Sequence, residues 1–147
     1  MILVRLQGRG DCSIEHGPTG SVITSSKSAA FGGLGSSFSS TDLLAAALGS
    51  CIATDIEPVA ERHGVPLDAI RIEVDKELTM QPRKVIALRV SVLLPGTVDD
   101  VLLLKLERAA GHCLVHRSLD PGIRVDIDFR RQVAELEGVN RDPALET

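Results

Sequence analysis

Along this chain, apolar and polar positions alternate in several short runs, and in one stretch the alternation gives way to a segment apolar on every side. The first 25 residues read as short strands joined by turns. Ile2 to Leu6 is apolar with one interruption, Cys12 to His16 alternates, and Ser21 to Thr24 follows the strong turn signal Gly17-Pro18-Thr19-Gly20. Ser25 to Ser40 is rich in Ser and Gly and reads as a loop. A helix is expected next, capped by Ser39 or Ser40, with Asp42 in the first turn where a carboxylate meets the positive end of the helix dipole. From Leu43 to Ala53 nearly every residue is apolar or small, so this helix is expected to lie buried at the centre. Polar residues return from Thr54, Pro58 is placed to kink the helix, and His63-Gly64 ends it.

Two alternating strands follow, with Ile70, Ile72, Val74 and Leu78 on one face of the first and Ile86, Leu88, Val90, Val92 and Leu94 in the second. Gln81-Pro82-Arg83 reads as the turn between them. A second helix is expected over Val98 to Ala110 and stops at Gly111, and a last alternating strand runs from Ile123 to Phe129. This order predicts an α+β fold, antiparallel sheets around a long buried central helix, in one domain spanning residues 1–131. Residues 132–147 read as a polar C-terminal tail.

Composition narrows the functional classes. The 147 residues are 44% hydrophobic and 24% charged, ordinary for a globular chain, and the net charge of −4 with no basic block argues against nucleic-acid binding. Three Phe with no Trp or Tyr leave little material for base stacking or an aromatic cage. No apolar stretch reads as long enough to cross a bilayer, no signal-peptide pattern opens the chain, and a cytoplasmic address is expected. Three cysteines do not make a disulfide framework, so each is a core residue, a metal ligand or a reactive thiol.

Cys51, deep in the apolar helix, is by position either a small core hydrophobe or a thiol activated from elsewhere, because the helix dipole fades within its first turn. Cys113 stands just after Gly111 in Gly-His-Cys-Leu-Val-His-Arg, and by position is either a reactive thiol tuned by its basic neighbours or an incidental residue. A zinc site from Cys12, His16, Cys113 and His116 is the competing reading; on a strand, though, Cys12 and His16 stand about 13 Å apart, too far for one ion unless the strand bends. No metal is therefore expected. A phosphate-binding loop and a Gly-x-Ser-x-Gly elbow are both missing from the chain.

Two segments resemble a known family. Phe31-Gly32-Gly33-Leu34-Gly35 followed by Ser39-Ser40-Thr41-Asp42-Leu43-Leu44-Ala45-Ala46-Ala47-Leu48-Gly49-Ser50-Cys51, and then Cys113-Leu114-Val115-His116-Arg117-Ser118-Leu119, resemble the two signatures of the OsmC/Ohr family, osmotically inducible and organic hydroperoxide resistance proteins. The match is nearer the less-characterised OsmC-like branch, with Thr41 where the hydroperoxide-resistance branch carries Glu and Leu114 where the second signature usually has Pro. The resemblance implies an intertwined homodimer whose two cysteines per site, Cys51 and Cys113, reduce a hydroperoxide through a sulfenic acid and a disulfide. It implies an external dithiol or lipoylated-protein reductant and no bound cofactor. Arg9 is the first candidate for the family's activating arginine, with Arg5 the second, and Asp42 is the candidate acidic residue. Leu43, Leu44 and Leu48, extended by Phe31 or Phe38, are expected to line the substrate pocket. The other reading on the same fold is a dimeric binding protein for a small molecule or thiol ligand, with weak or no peroxidase activity.

Overall fold

The computed structural model describes residues 1–132, so the expected tail, apart from Gln132, lies outside the described residues. The chain folds as α+β. Strands β1 (Ile2–Gly8), β2 (Asp11–His16) and β3 (Ser21–Ser26) form an antiparallel meander in the order β1-β2-β3. Helix α1 spans Ser40–Arg62. Strands β4 (Arg71–Met80) and β5 (Arg83–Pro95) pair antiparallel, helices α2 (Asp100–Ala110) and α3 (Leu114–Ser118) follow, and β6 (Arg124–Gln132) completes a second sheet in the order β4-β5-β6.

The start of α1 follows from its sequence. Ser39 is the N-cap; its hydroxyl accepts from the Asp42 amide at 3.2 Å, and the Asp42 carboxylate accepts from the Ser39 amide at 2.7 Å. This reciprocal capping box satisfies amides that the first turn leaves unpaired. Pro58 sits inside the helix, which nevertheless runs on to Arg62. Ala45, Leu48, Ile52, Ile56 and Ala60 form its buried face, packed with Leu88, Val90, Val92 and Leu94 of β5 and Leu102 and Leu106 of α2 in one core. Gly49 permits close approach to β4, since a Cβ there would lie 3.0 Å from Val74 Cγ2. Gly33 is required by the loop before α1: a Cβ would come within 2.0 Å of the Lys27 carbonyl oxygen.

Four expectations need adjustment. β6 pairs parallel with β5, from Ala87↔Arg124 to Pro95↔Gln132, because α2 and α3 carry the chain back across the sheet before β6 begins. α3 is an unexpected one-and-a-half-turn helix built on the second signature itself. Within one chain, α1 is buried on one face only: Ala46, Ala47 and Ser50 are exposed, and Leu43 and Leu44 are half-buried. By length and composition α1 does reach membrane-span dimensions, with mean hydropathy 1.4 over its most apolar window, contrary to the reading that no stretch is long enough. Its Leu48–Ile52–Ile56 face is nonetheless committed to the core.

Candidate active site

The fold brings the two signature cysteines together from elements 62 positions apart in the chain. Cys51 projects from the middle of α1, half-buried, and Cys113 is fully buried at the N-cap of α3. Their sulfurs and one carboxylate oxygen of Asp55 all lie within 4.8 Å of one another. The Cys51 thiol points to Asp55 Oδ2 at 3.9 Å, and the Cys113 sulfur accepts from the His116 amide at 3.4 Å. Burial pushes the Cys113 thiol above its ordinary 9.0, and the adjoining Cys51 thiol pushes it the same way. Cys113 therefore remains protonated at neutral pH, while Cys51 is the member of the pair open to solvent. An S–S bond needs about 2.05 Å, so closure requires the two sulfurs to approach.

Asp55 was not singled out by sequence. Its spacing of four from Cys51 was the available signal, because residues four apart share a helix face. The zinc set of Cys12, His16, Cys113 and His116 does not assemble. Among the described residues the one His/Cys/Asp/Glu cluster with ligand atoms in reach is Cys51, Asp55 and Cys113, one donor short of a closed structural zinc site.

The remaining expected site residues are dispersed. Arg9 occupies the exposed β1–β2 turn at φ 53°, and Arg5 is engaged with Glu15 at 2.7 Å. Among the described residues no arginine hydrogen-bonds to either thiol within the chain. Asp42, nine residues before Cys51 and so about 14 Å away along the helix, caps α1 and pairs with Lys76 of β4. Leu48 is fully buried in the core, which removes it from any solvent-facing lining; Leu43 and Leu44 stay half-buried beside the thiol-bearing helix face. Phe31 lines a cavity at the start of α1 away from the thiol pair, and Phe38 is 59% exposed.

The Lys76 ammonium, then the Ser39 hydroxyl, hold the Asp42 carboxyl at about 2, below its ordinary 3.8. A depressed carboxyl stabilises the fold above the unfolded value, and that contribution is lost as pH falls from about 4 through about 2. Asp42→Asn is expected to flatten the acid limb of a urea-midpoint profile in that window. Because the carboxylate is 42% exposed and screened, the loss at neutral pH should stay under about 1 kcal/mol. An unchanged acid limb would show that the pair contributes nothing.

Comparison with known proteins adds to this geometry. Residues 33–128 match the family described as OsmC-like protein. A protein from Psychrobacter arcticus 273-4, named for osmotic stress induction and a detoxification response, is 27% identical, with a TM-score of 0.82 over 88% of this chain and 94% of that one. The organic hydroperoxide resistance protein OsmC of Legionella pneumophila is 15% identical, with a TM-score of 0.69 over 88% of this chain and 96% of that one. The organic hydroperoxide resistance protein OhrB of Bacillus subtilis is 17% identical, with a TM-score of 0.60 over 88% and 96%. At these last two identities the likeness is one of fold. A search of the curated proteins finds no match.

Proposed function

The chain belongs to the OsmC-like protein family, and from that premise we propose that it is a thiol-dependent peroxidase that reduces organic hydroperoxides in defence against oxidative stress. The observation that carries the reading is the pair of sulfurs within 4.8 Å, one half-exposed and one fully buried. Cys51 as thiolate attacks the outer oxygen of the O–O bond; that bond breaks, the alkoxide leaves as an alcohol after taking a proton, and Cys51 becomes a sulfenic acid. The Cys113 sulfur then attacks the Cys51 sulfur, an S–S bond forms and water departs. An external dithiol, free or as a lipoyl group on a protein, restores both thiols by two exchanges. No cofactor takes part. Leu43 and Leu44 offer apolar contact to the alkyl group. The chemistry fits a reducing cytoplasm, where the pair is returned to thiols between turnovers.

The protein with dihydrolipoamide or dithiothreitol should consume cumene hydroperoxide catalytically. Turnover equal in wild type and Cys51→Ser would overturn the reading. The second reading, a small-molecule or thiol-ligand binding protein on the same fold, is favoured by the lack, among the described residues of the one chain, of an arginine hydrogen-bonded to either thiol; rapid Cys51–Cys113 disulfide formation with one equivalent of peroxide, seen by mass spectrometry, counts against it.

The proposal includes a homodimer. The exposed face of α1 and the open apolar residues of the meander, among them Ile2 at 57%, Val4 at 56%, Leu6 at 85% and Val22 at 59%, are what a second subunit would cover. Light scattering should then return twice the 15.7 kDa of the chain. A monomeric mass at micromolar concentration would refute the dimer.

A further inference from the structure

We propose that Asp55 relays the proton of the disulfide-closing step, taking it from the Cys113 thiol and returning it to the hydroxide that leaves Cys51. The role rests on the peroxidase reading, which gives Cys51 its hydroxyl, although its proton-accepting half is testable without peroxide. Closure joins two sulfurs and expels water, so a proton must leave Cys113 and a proton must reach the departing oxygen.

Burial is the first argument. Cys113 has no exposed surface, so bulk water has no direct path to its proton. Burial, and then the adjoining Cys51 thiol, push that thiol above its ordinary 9.0, and it enters the step protonated. A proton acceptor therefore has to stand inside the site. Among the described residues, the titratable side chains clustered with the Cys113 sulfur are Cys51 and Asp55, both on α1. The contact from His116 of α3 is its backbone amide, which donates and cannot accept. Glu107 of α2 lines a different cavity with His116 and Arg117 of α3, against Ile127 and Phe129 of β6.

The surroundings of Asp55 supply the rest. It is half-buried, one turn after Cys51 on the same helix face. Among the described residues it forms no ion pair, and its carboxylate accepts a hydrogen bond only from the Cys51 thiol, at 3.9 Å. The carboxylate is thus not engaged in holding the fold. One of its oxygens lies within 4.8 Å of both sulfurs, in reach of each by a small side-chain rotation or through one water. In the step, the Cys113 sulfur attacks the Cys51 sulfur while Asp55 takes the S–H proton. The S–O bond of the sulfenic acid breaks with its electron pair on oxygen, and Asp55 hands that oxygen the proton. Cys113 is oxidised, Cys51 is reduced from sulfenic acid to disulfide, water departs and the carboxylate is regenerated. Because the proton moves as the S–S bond forms, the carboxylate never holds it against a free thiolate.

The test compares Asp55→Asn with its parent in a Cys12→Ser background, with a chelator present and two oxidants. One equivalent of cumene hydroperoxide gives the sulfenic acid. Dithiobis-nitrobenzoate instead gives a mixed disulfide on Cys51, from which Cys113 expels a coloured thiolate that needs no proton. Asp55→Asn keeps the shape of the side chain but cannot carry the proton, and its unfolding midpoint should match the parent. Sulfenic acid formation should hold within about threefold, while closure at neutral pH should slow by about 10²-fold with peroxide and about tenfold with the aromatic disulfide. Both deficits should shrink as pH rises past 9.0, where hydroxide ion takes the Cys113 proton in place of Asp55. Equal closure at neutral pH with either oxidant, or a deficit that stays constant as pH rises, would overturn the relay. Should peroxide leave Cys51 unoxidised while the aromatic disulfide still shows the deficit, the peroxidase reading falls and the proton-accepting half of the role stands.

Discussion

Cys51→Ser is expected to lower peroxide turnover by more than about 10³-fold, the scale seen when a covalent nucleophile is removed. The reason lies in the geometry: Cys51 is the half-exposed sulfur of the pair, whereas Cys113 has no exposed surface through which to meet a peroxide. Cys113→Ser should behave differently. Cys51 would still be oxidised once to a sulfenic acid, no intramolecular disulfide would form, and dithiol-driven turnover would fall unless an external thiol resolves the intermediate directly. The wild-type closure step should also quicken as pH rises past 9, because burial holds the Cys113 thiol above its ordinary value and the thiolate is the stronger attacker. Stopped-flow oxidation monitored with mass spectrometry of quenched samples separates the two steps. If Cys113→Ser were the variant that failed to react with the first equivalent, the roles assigned to the two sulfurs would be reversed.

Leu48→Ala is the second large effect, and it falls on stability. Leu48 has no exposed surface and sits where α1 meets the second sheet and α2, so truncation leaves a cavity costing about 2–5 kcal/mol. In a domain of this size that corresponds to a fall in Tm of roughly 5–15 °C. KM for hydroperoxide should move little in protein that remains folded. A raised KM with an unchanged Tm would return Leu48 to the substrate wall.

Leu48 also shows where sequence reasoning reaches its end. The run from Leu43 to Ala53 announces a helix, and Ser39 with Asp42 announces its start, because capping and composition act locally. A segment apolar on every side carries no amphipathic stripe, so its pattern cannot say that Leu48 faces the core while Ala47 faces out. The alternation of β4, β5 and β6 was legible for the same local reason. The direction of β6 was not, since it depends on where α2 and α3 leave the chain. The thiol pair is the clearest case of a non-local fact: neither cysteine is persuasive by position, and only the resemblance of both flanking segments to one family joined them before the fold did. Asp42 read as chemistry because it is an acid beside a signature, but the fold spends its charge on a cap and on Lys76.

The parallel pairing of β6 carries a consequence for how the molecule is made. β5 is the middle strand, and Val90, Val92 and Leu94 are fully buried along it. Its partner on one side arrives through a two-residue turn; its partner on the other is delivered only after two helices, with Ala87 waiting for Arg124. A chain emerging N-terminus first therefore displays the free amides and carbonyls of a long apolar strand until almost the last described residue is synthesised. Sequence distance thus becomes elapsed time, and that interval is when the nascent protein is most open to pairing with a neighbour's strand instead of its own.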